Sequence, residues 1–405
     1  MGSTLVLVIV IITGVAFDFT NGFHDTANAV ATSIATGALK PRVAVGMSAI
    51  LNLIGAFLSI SVAATIAKGI INPALIKGNT GLLIVLAALV GAILWNLITW
   101  YLTLPSSSSH ALIGGVIGAT IAAAGAKAVS FHALAQSVLA PAVLSPFICL
   151  MLALIGTFCA YRLIRLLAED FARRGYRYGQ VGSAALVSLA HGTNDAQKTM
   201  GVITLALIAD GKISAAHFYV PFWVKLICAC SIAAGTFVGG WRIINTMGNR
   251  ITPLESPQGF AAETASGATI LASSYFGYPL STTQVVSGGV MGAGLGKKLA
   301  SVHWGVAGQM ATAWLLTIPA AGLIGAGAWE LTNLFGAHGG AASVVVAMVA
   351  AALAAGPARS HPRGPSGRGQ AGGGRTDCRD GLARWSCSRL RWSSGMTSAR
   401  SSSPG

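Results

Sequence analysis

The sequence predicts an all-α, polytopic membrane protein of two inverted-topology repeats, with about ten or eleven transmembrane helices that are interrupted at their polar motifs. Three observations carry this. Charged residues make up 9% of the chain against 54% hydrophobic, whereas a soluble domain needs about 25% charged residues to wet its surface. Several apolar runs, at 43–66, 82–104, 136–161 and 303–328, approach or exceed the roughly 20 residues that cross a bilayer as helix. Finally, a polar motif centred on Asp25 returns around Asp195.

Taken in order, the first half supplies spans at 3–36 (interrupted), 43–66, 82–104, 110–127 and 136–161. The apolar start has no basic leader and no small-residue cleavage site, so it reads as a membrane helix and not a signal peptide. A basic cytoplasmic loop, 162–178, closes a first repeat of residues 1–178. The second repeat, 179–355, supplies spans at 179–208 (interrupted), 217–240, 261–277, 283–296 and 303–328, then an incomplete run at 341–355. The 283–296 segment is short enough to be re-entrant. With the amino end outside, the inner segments carry eleven Lys and Arg, among them Lys40, Arg42, Arg162, Arg165, Arg242 and Lys297. The outer ones carry four: Lys68, Lys77, Lys127 and Lys212. Cationic loops are retained on the cytoplasmic side, so this asymmetry fixes the orientation.

Five spans are an odd number, so a second copy enters the membrane from the opposite face. Asn21-Gly-Phe-His-Asp25-Thr-Ala-Asn28 aligns with His191-Gly-Thr-Asn-Asp195-Ala-Gln-Lys198. Pro105-Ser-Ser-Ser-Ser-His110, followed by Gly114-Gly115 and Gly118, aligns with Pro279-Leu-Ser-Thr-Thr-Gln284, Gly288-Gly289 and Gly292. The separations from Asp25 to Pro105 and from Asp195 to Pro279 are 80 and 84 residues. Inverted repeats with a site at their interface are a recurring transporter plan.

The net charge of +15 invites a nucleic-acid reading, but +7 of it lies after residue 355. There the composition turns abruptly to Arg, Gly, Ser and Pro, which marks 356–405 as disordered or out-of-frame sequence without assigned function. No nucleic-acid partner is expected. Cys228-x-Cys230 lacks both redox spacing and zinc partners, so neither a disulfide nor a cofactor is implied.

An Asp within a membrane helix costs about 2.5–3.5 kcal/mol even on lenient scales, and such residues face a partner or a wet cavity. Gly22 and Gly192, just upstream, allow the helix to unwind and release backbone groups. Asp25, Asn28 and Asp195, with His24 as a titratable neighbour, suit a coupling ion: a proton, sodium, or an ion pair that includes a divalent metal. The hydroxyl runs supply the complement. A helix starting at Ser107 or Ser281 points free N–H groups at whatever precedes it, with Ser107, Ser108, Ser109, Ser281, Thr282 and Thr283 as donors. Ordinary N-capping accounts for one hydroxyl per helix but not for runs of them. Asn194 and Lys198 complete the expected anion site, with Lys198 able to neutralise Asp195 or hold the anion.

These motifs resemble the inorganic phosphate transporter (PiT) family, whose signature is a GANDxxN-type motif repeated in each half. Gly192-Thr-Asn-Asp195 fits closely, whereas Gly22-Phe-His-Asp25-Thr-Ala-Asn28 departs at Phe23 and His24 in the manner of the bacterial low-affinity branch. The resemblance implies a multi-pass inner (plasma) membrane symporter of inorganic phosphate. For that branch it implies proton coupling and carriage of neutral divalent-metal phosphate, with magnesium or another divalent cation as co-substrate. Sodium coupling and sulfate transport occur among relatives and stay open, as do the metal's identity and a homodimeric state. A channel would use the same lining without coupling. An intramembrane hydrolase built on Ser109 and His110 is disfavoured, because adjacent helix positions diverge by about 100°.

Overall fold

Every regular element in the computed structural model, which describes residues 3–72, 76–166, 168–297 and 302–334, is helical, apart from one isolated bridge between Ile71 and Val129. The expected run at 341–355 and the 356–405 tail lie outside the described residues. The first half comprises α1 (Ser3–Ala35), α2 (Pro41–Gly55), α3 (Ser61–Lys68), α4 (Gly78–Tyr101), α5 (Ser108–Ala124), α6 (Phe131–Leu134) and α7 (Ala140–Ile164). The second comprises α8 (Glu169–Ala209), α9 (Phe222–Val238), α10 (Trp241–Asn245), α11 (Ser256–Phe276), α12 (Thr282–Lys297) and α13 (Trp304–Leu334). A π-helical turn, Ala135–Leu139, joins α6 to α7.

By length and composition alone, four of the described helical spans could cross a membrane, or five if the pair α9 and 241–250, bent by 61°, counts as one. The others are short or carry polar residues, which they turn inward. The outward face of α7 shows what surrounds the molecule. Val143, Phe147, Met151, Ile155 and Phe158 are all more than half exposed along one continuous stripe. In water such a patch would drive association; against acyl chains it is at rest.

Three expectations are corrected. The helices are not interrupted at the Asp motifs: α1 and α8 run unbroken through Asp25 and Asp195. The breaks fall instead in the helices packed against them, between α2 and α3 and between α9 and α10. The reason is the use made of Gly22 and Gly192. A Cβ at Gly22 would land on the carbonyl oxygen of Ile232 in α9, and one at Gly192 on that of Asn52 in α2. Reciprocally, a Cβ at Gly235 would strike the Phe19 carbonyl and one at Gly55 the Leu189 carbonyl. These glycines let backbones cross in contact; they do not unwind. The 43–66 run is accordingly two helices, and the amides of Val62 and Ala63 at the start of α3 donate to Gln197 Oε1 on α8 at 2.9 and 3.4 Å. Nor is 162–178 a loop. The α8 helix starts at Glu169 and takes up Arg173, Arg174 and Arg177, all good helix formers. Its 41 residues extend over about 60 Å, twice a bilayer core, so its basic first turns project beyond the apolar region.

The packing of the two halves is mirrored. The α5 helix lies on α13 with Gly114 against Ile318 and Gly118 against Gly322. The α12 helix lies on α7 with Gly288 against Pro146 and Gly292 against Leu150. Each glycine-rich helix meets a long helix that carries an internal proline, Pro319 in α13 and Pro146 in α7.

Candidate substrate site

The close crossings of α1 with α9 and of α8 with α2 hold both Asp motifs at the centre of the molecule. Ligand atoms of Asp25, Asp195 and His191 lie within 4.8 Å of one another, and all three residues are buried. Around Asp195, Lys198 and His191 both approach the carboxylate. Lys198 Nζ donates to Asp195 Oδ1 at 2.6 Å, to the Leu280 carbonyl at 2.8 Å and to Ser109 Oγ. Its ammonium therefore uses all three donors. His191 places Nε2 3.2 Å from Asp195 Oδ2 and Nδ1 3.1 Å from Asn52 Oδ1. Around Asp25, His24 Nδ1 lies 2.8 Å from Oδ1 and its Nε2 3.3 Å from Thr99 Oγ1, so Thr99 orients the ring.

The hydroxyl runs arrive at this centre from both sides. Thr283 donates to Asp25 Oδ1 at 3.3 Å and Thr282 to Asp195 Oδ2 at 3.4 Å, while the Asn28 amide donates to both hydroxyls, at 3.2 Å to Thr282 and 3.0 Å to Thr283. Ser109 donates to the Leu280 carbonyl at 3.0 Å, and Ser108 Oγ is 3.5 Å from His24 Nδ1. Each half thus engages the other: the first Asp motif meets the start of α12, and Lys198 meets the start of α5. Ser107 and Ser281 have a local task as caps, accepting from the amides of His110 at 3.1 Å and Gln284 at 3.3 Å. Asn194 turns aside to α11, donating to Ser274 Oγ at 2.8 Å and to the Tyr278 carbonyl at 3.3 Å.

Of the twelve residues expected from sequence, Asp25, Asn28, Asp195, Lys198, His24, Ser108, Ser109, Thr282 and Thr283 meet at one centre. Ser107 and Ser281 flank it as caps, and Asn194 faces away from the hydroxyl runs. Sequence reasoning missed the roles of Asn52 and Thr99, polar residues inside otherwise apolar helices, where rarity was itself the signal. Glu263, away from this centre, accepts from Thr32 at 2.5 Å, Ser183 at 2.6 Å and Gln180 at 3.3 Å.

Two acidic residues, Asp25 and Asp195, face one lysine, Lys198, at this centre. An anion entering there needs the charge cancelled, by protonation or by a cation. The amino-terminal ends of α5 and α12 add partial positive charge and hydroxyl donors on the same side. A buried, charge-bearing centre enclosed by apolar helices has its use in carrying an ion through a bilayer. The class is that of multi-pass membrane transporters.

The family follows from comparison with known proteins. Residues 21–325 match the phosphate transporter family, and the chain belongs to it. It is 57% identical over 335 residues to a Mycobacterium bovis protein named "Probable low-affinity inorganic phosphate transporter", covering 83% of this chain and 79% of that one. A Bacillus subtilis protein of the same name is 41% identical over 334 residues, 82% of this chain and 98% of the relative. A solved structure titled "The sodium-dependent phosphate transporter" superposes with a TM-score of 0.73 at 24% identity, over 82% of this chain and 99% of that chain, which establishes the shared fold. Phosphate is the substrate this family transports, and its members are transporters and not enzymes.

Proposed function

We propose that this chain is a secondary active symporter that carries inorganic phosphate, as a divalent-metal complex and driven by protons, across the inner (plasma) membrane. The observation that carries the reading is the convergence of Asp25, His191 and Asp195 within 4.8 Å, beside the hydroxyl-bearing starts of α5 and α12. Oxygens of phosphate are received by Ser108, Ser109, Thr282, Thr283 and Lys198. The carboxylates take the accompanying positive charge, whether a proton relayed through His24 and His191 or the metal of the complex. Neutralisation is the reason for coupling, because each uncompensated charge moved against the membrane potential costs about 2.3 kcal/mol per 100 mV. The mirrored contacts support two repeats of opposite orientation, 1–178 and 179–355, rocking about the central site.

The test is uptake of labelled phosphate into proteoliposomes, with proton, sodium and magnesium gradients varied independently. Accumulation against the phosphate gradient under an inward proton gradient, increased by magnesium, is the expected result; equilibration alone would identify a channel. Asp25→Asn should insert normally and lose uptake. Wild-type uptake with unchanged pH dependence in that variant would remove Asp25 from the coupling role.

A further inference from the structure

The apolar stripe on the outward face of α7 runs into a pair of cations. Val143, Phe147, Met151, Ile155 and Phe158 recur at intervals of three and four residues, and the same spacing next reaches Arg162 and Arg165. Positions so spaced share one face of a helix. The face that acyl chains cover therefore ends in two guanidinium groups at the carboxy-terminal end of α7. Both arginines are exposed, and among the described residues neither forms an ion pair.

The end of α12 adds a third cation. A Cβ at Gly296 would lie 2.7 Å from the Leu154 carbonyl oxygen and 2.8 Å from Thr157 Cβ, so the last turn of α12 rests directly on α7. This sets Lys297 beside Tyr161, with Nζ 5.5 Å from the ring centroid. Glu255 accepts from both Lys297 and the Tyr161 hydroxyl, which ties the two side chains together and uses one of the three ammonium donors. Between the two helix ends lies a cleft of about 420 Å³, lined chiefly by Phe158, Tyr161, Arg162, Arg165 and Lys297. That volume lies within the range of small-molecule sites.

We infer that this cleft binds the headgroup of one anionic glycerophospholipid, whose acyl chains lie along the α7 stripe. Charge sets the class of headgroup. Arg162, Arg165 and Lys297 face the single carboxylate of Glu255 among the described side chains at the cleft, so a net negative headgroup is attracted. A zwitterionic one would bring an ammonium group back among the cations. The arginine forks match phosphate oxygens, and Tyr161 is an amphipathic ring of the kind that sits at membrane interfaces. Continuity sets the source. Free phosphate would engage the cations and leave Phe158 and the stripe unused, whereas a phospholipid engages both, as basic pockets between membrane helices do with acidic headgroups. The assignment rests on the membrane setting of α7 and not on what the central site carries.

The test uses the purified full-length chain in detergent, with native mass spectrometry counting lipid adducts as phosphatidylglycerol or phosphatidylcholine of identical acyl chains is added. One phosphatidylglycerol per chain should bind about tenfold more tightly than phosphatidylcholine, and millimolar inorganic phosphate should not displace it. Arg162→Gln combined with Arg165→Gln should weaken that binding by about tenfold. Both side chains are exposed, so this double variant should keep the wild-type unfolding midpoint in lipid-free detergent. Lys297→Gln should weaken binding by a smaller factor, and supplies the reading if the double variant does not fold. Lys40→Gln combined with Arg42→Gln removes the same charge away from the cleft and should bind as the wild type does. The site is refuted if the two lipids bind alike, or if the Lys40 and Arg42 pair weakens binding as much as the Arg162 and Arg165 pair. It is refuted equally if inorganic phosphate displaces the lipid, or if the chain forms a dimer that excludes it.

Discussion

Lys198→Met is the perturbation whose consequence the structure fixes most tightly. The ammonium is 1% exposed and holds three acceptors: Asp195 Oδ1 at 2.6 Å, the Leu280 carbonyl at 2.8 Å and Ser109 Oγ. Met fills most of the same volume, so the packing loss is small and the electrostatic loss dominates. Removing one member of a buried ion pair leaves the other uncompensated and costs about 3–5 kcal/mol. His191 Nε2 stays 3.2 Å from Asp195 Oδ2 and offsets part of this, which places the expectation near the lower end of that range. Neutralising the partner as well, in Asp195→Asn with Lys198→Met, should restore about 2 kcal/mol, a coupling within the range seen for contacting charged residues. Unfolding of the purified chain in mixed micelles with rising sodium dodecyl sulfate gives the four corners of this cycle, and proteoliposome uptake gives the functional arm. The double variant should recover stability and not transport. A single-variant loss below about 1 kcal/mol, together with strictly additive effects in the double variant, would show that Lys198 is not the counter-ion of Asp195.

Two further outcomes follow from the geometry. Gly22→Ala and Gly192→Ala each push a methyl group onto a backbone carbonyl of the crossing helix, so each should destabilise by about 1–3 kcal/mol and reduce uptake; Gly46→Ala, with nothing within 4 Å of its Cβ, should leave stability unchanged or slightly raised, and equal unfolding midpoints for all three would refute the crossing. At the start of α11 and the end of α12, a hydrogen bond from Lys297 and then one from the Tyr161 hydroxyl hold the Glu255 carboxyl below its ordinary range. A depressed carboxylate contributes stability above its unfolded pKa that is lost as pH falls through the folded one. Both side chains are more than a third exposed, so the contribution should be well under 1 kcal/mol, and Lys297→Gln should flatten the stability profile only below about pH 4.5. A difference that persists at pH 8 but not at pH 3 agrees with this; the reverse would contradict it.

The sequence by itself determined the environment, the helical class and most of the residues that meet at the polar centre. Low charge with long apolar runs leaves a chain no stable place but lipid, and within lipid a backbone must satisfy itself as helix. Asp25, Asp195 and the two hydroxyl runs stood out because each is costly where it sits. Only the tertiary structure decided how these parts meet. Local sequence could not distinguish a glycine that unwinds a helix from one that admits a neighbour, because both uses exploit the missing Cβ; the difference at Gly22 and Gly192 lies in where Ile232 and Asn52 are. It also could not show that Thr282 and Thr283 would share Asn28, or that Ser109 would receive Lys198, since those partners are separated by 254, 255 and 89 residues.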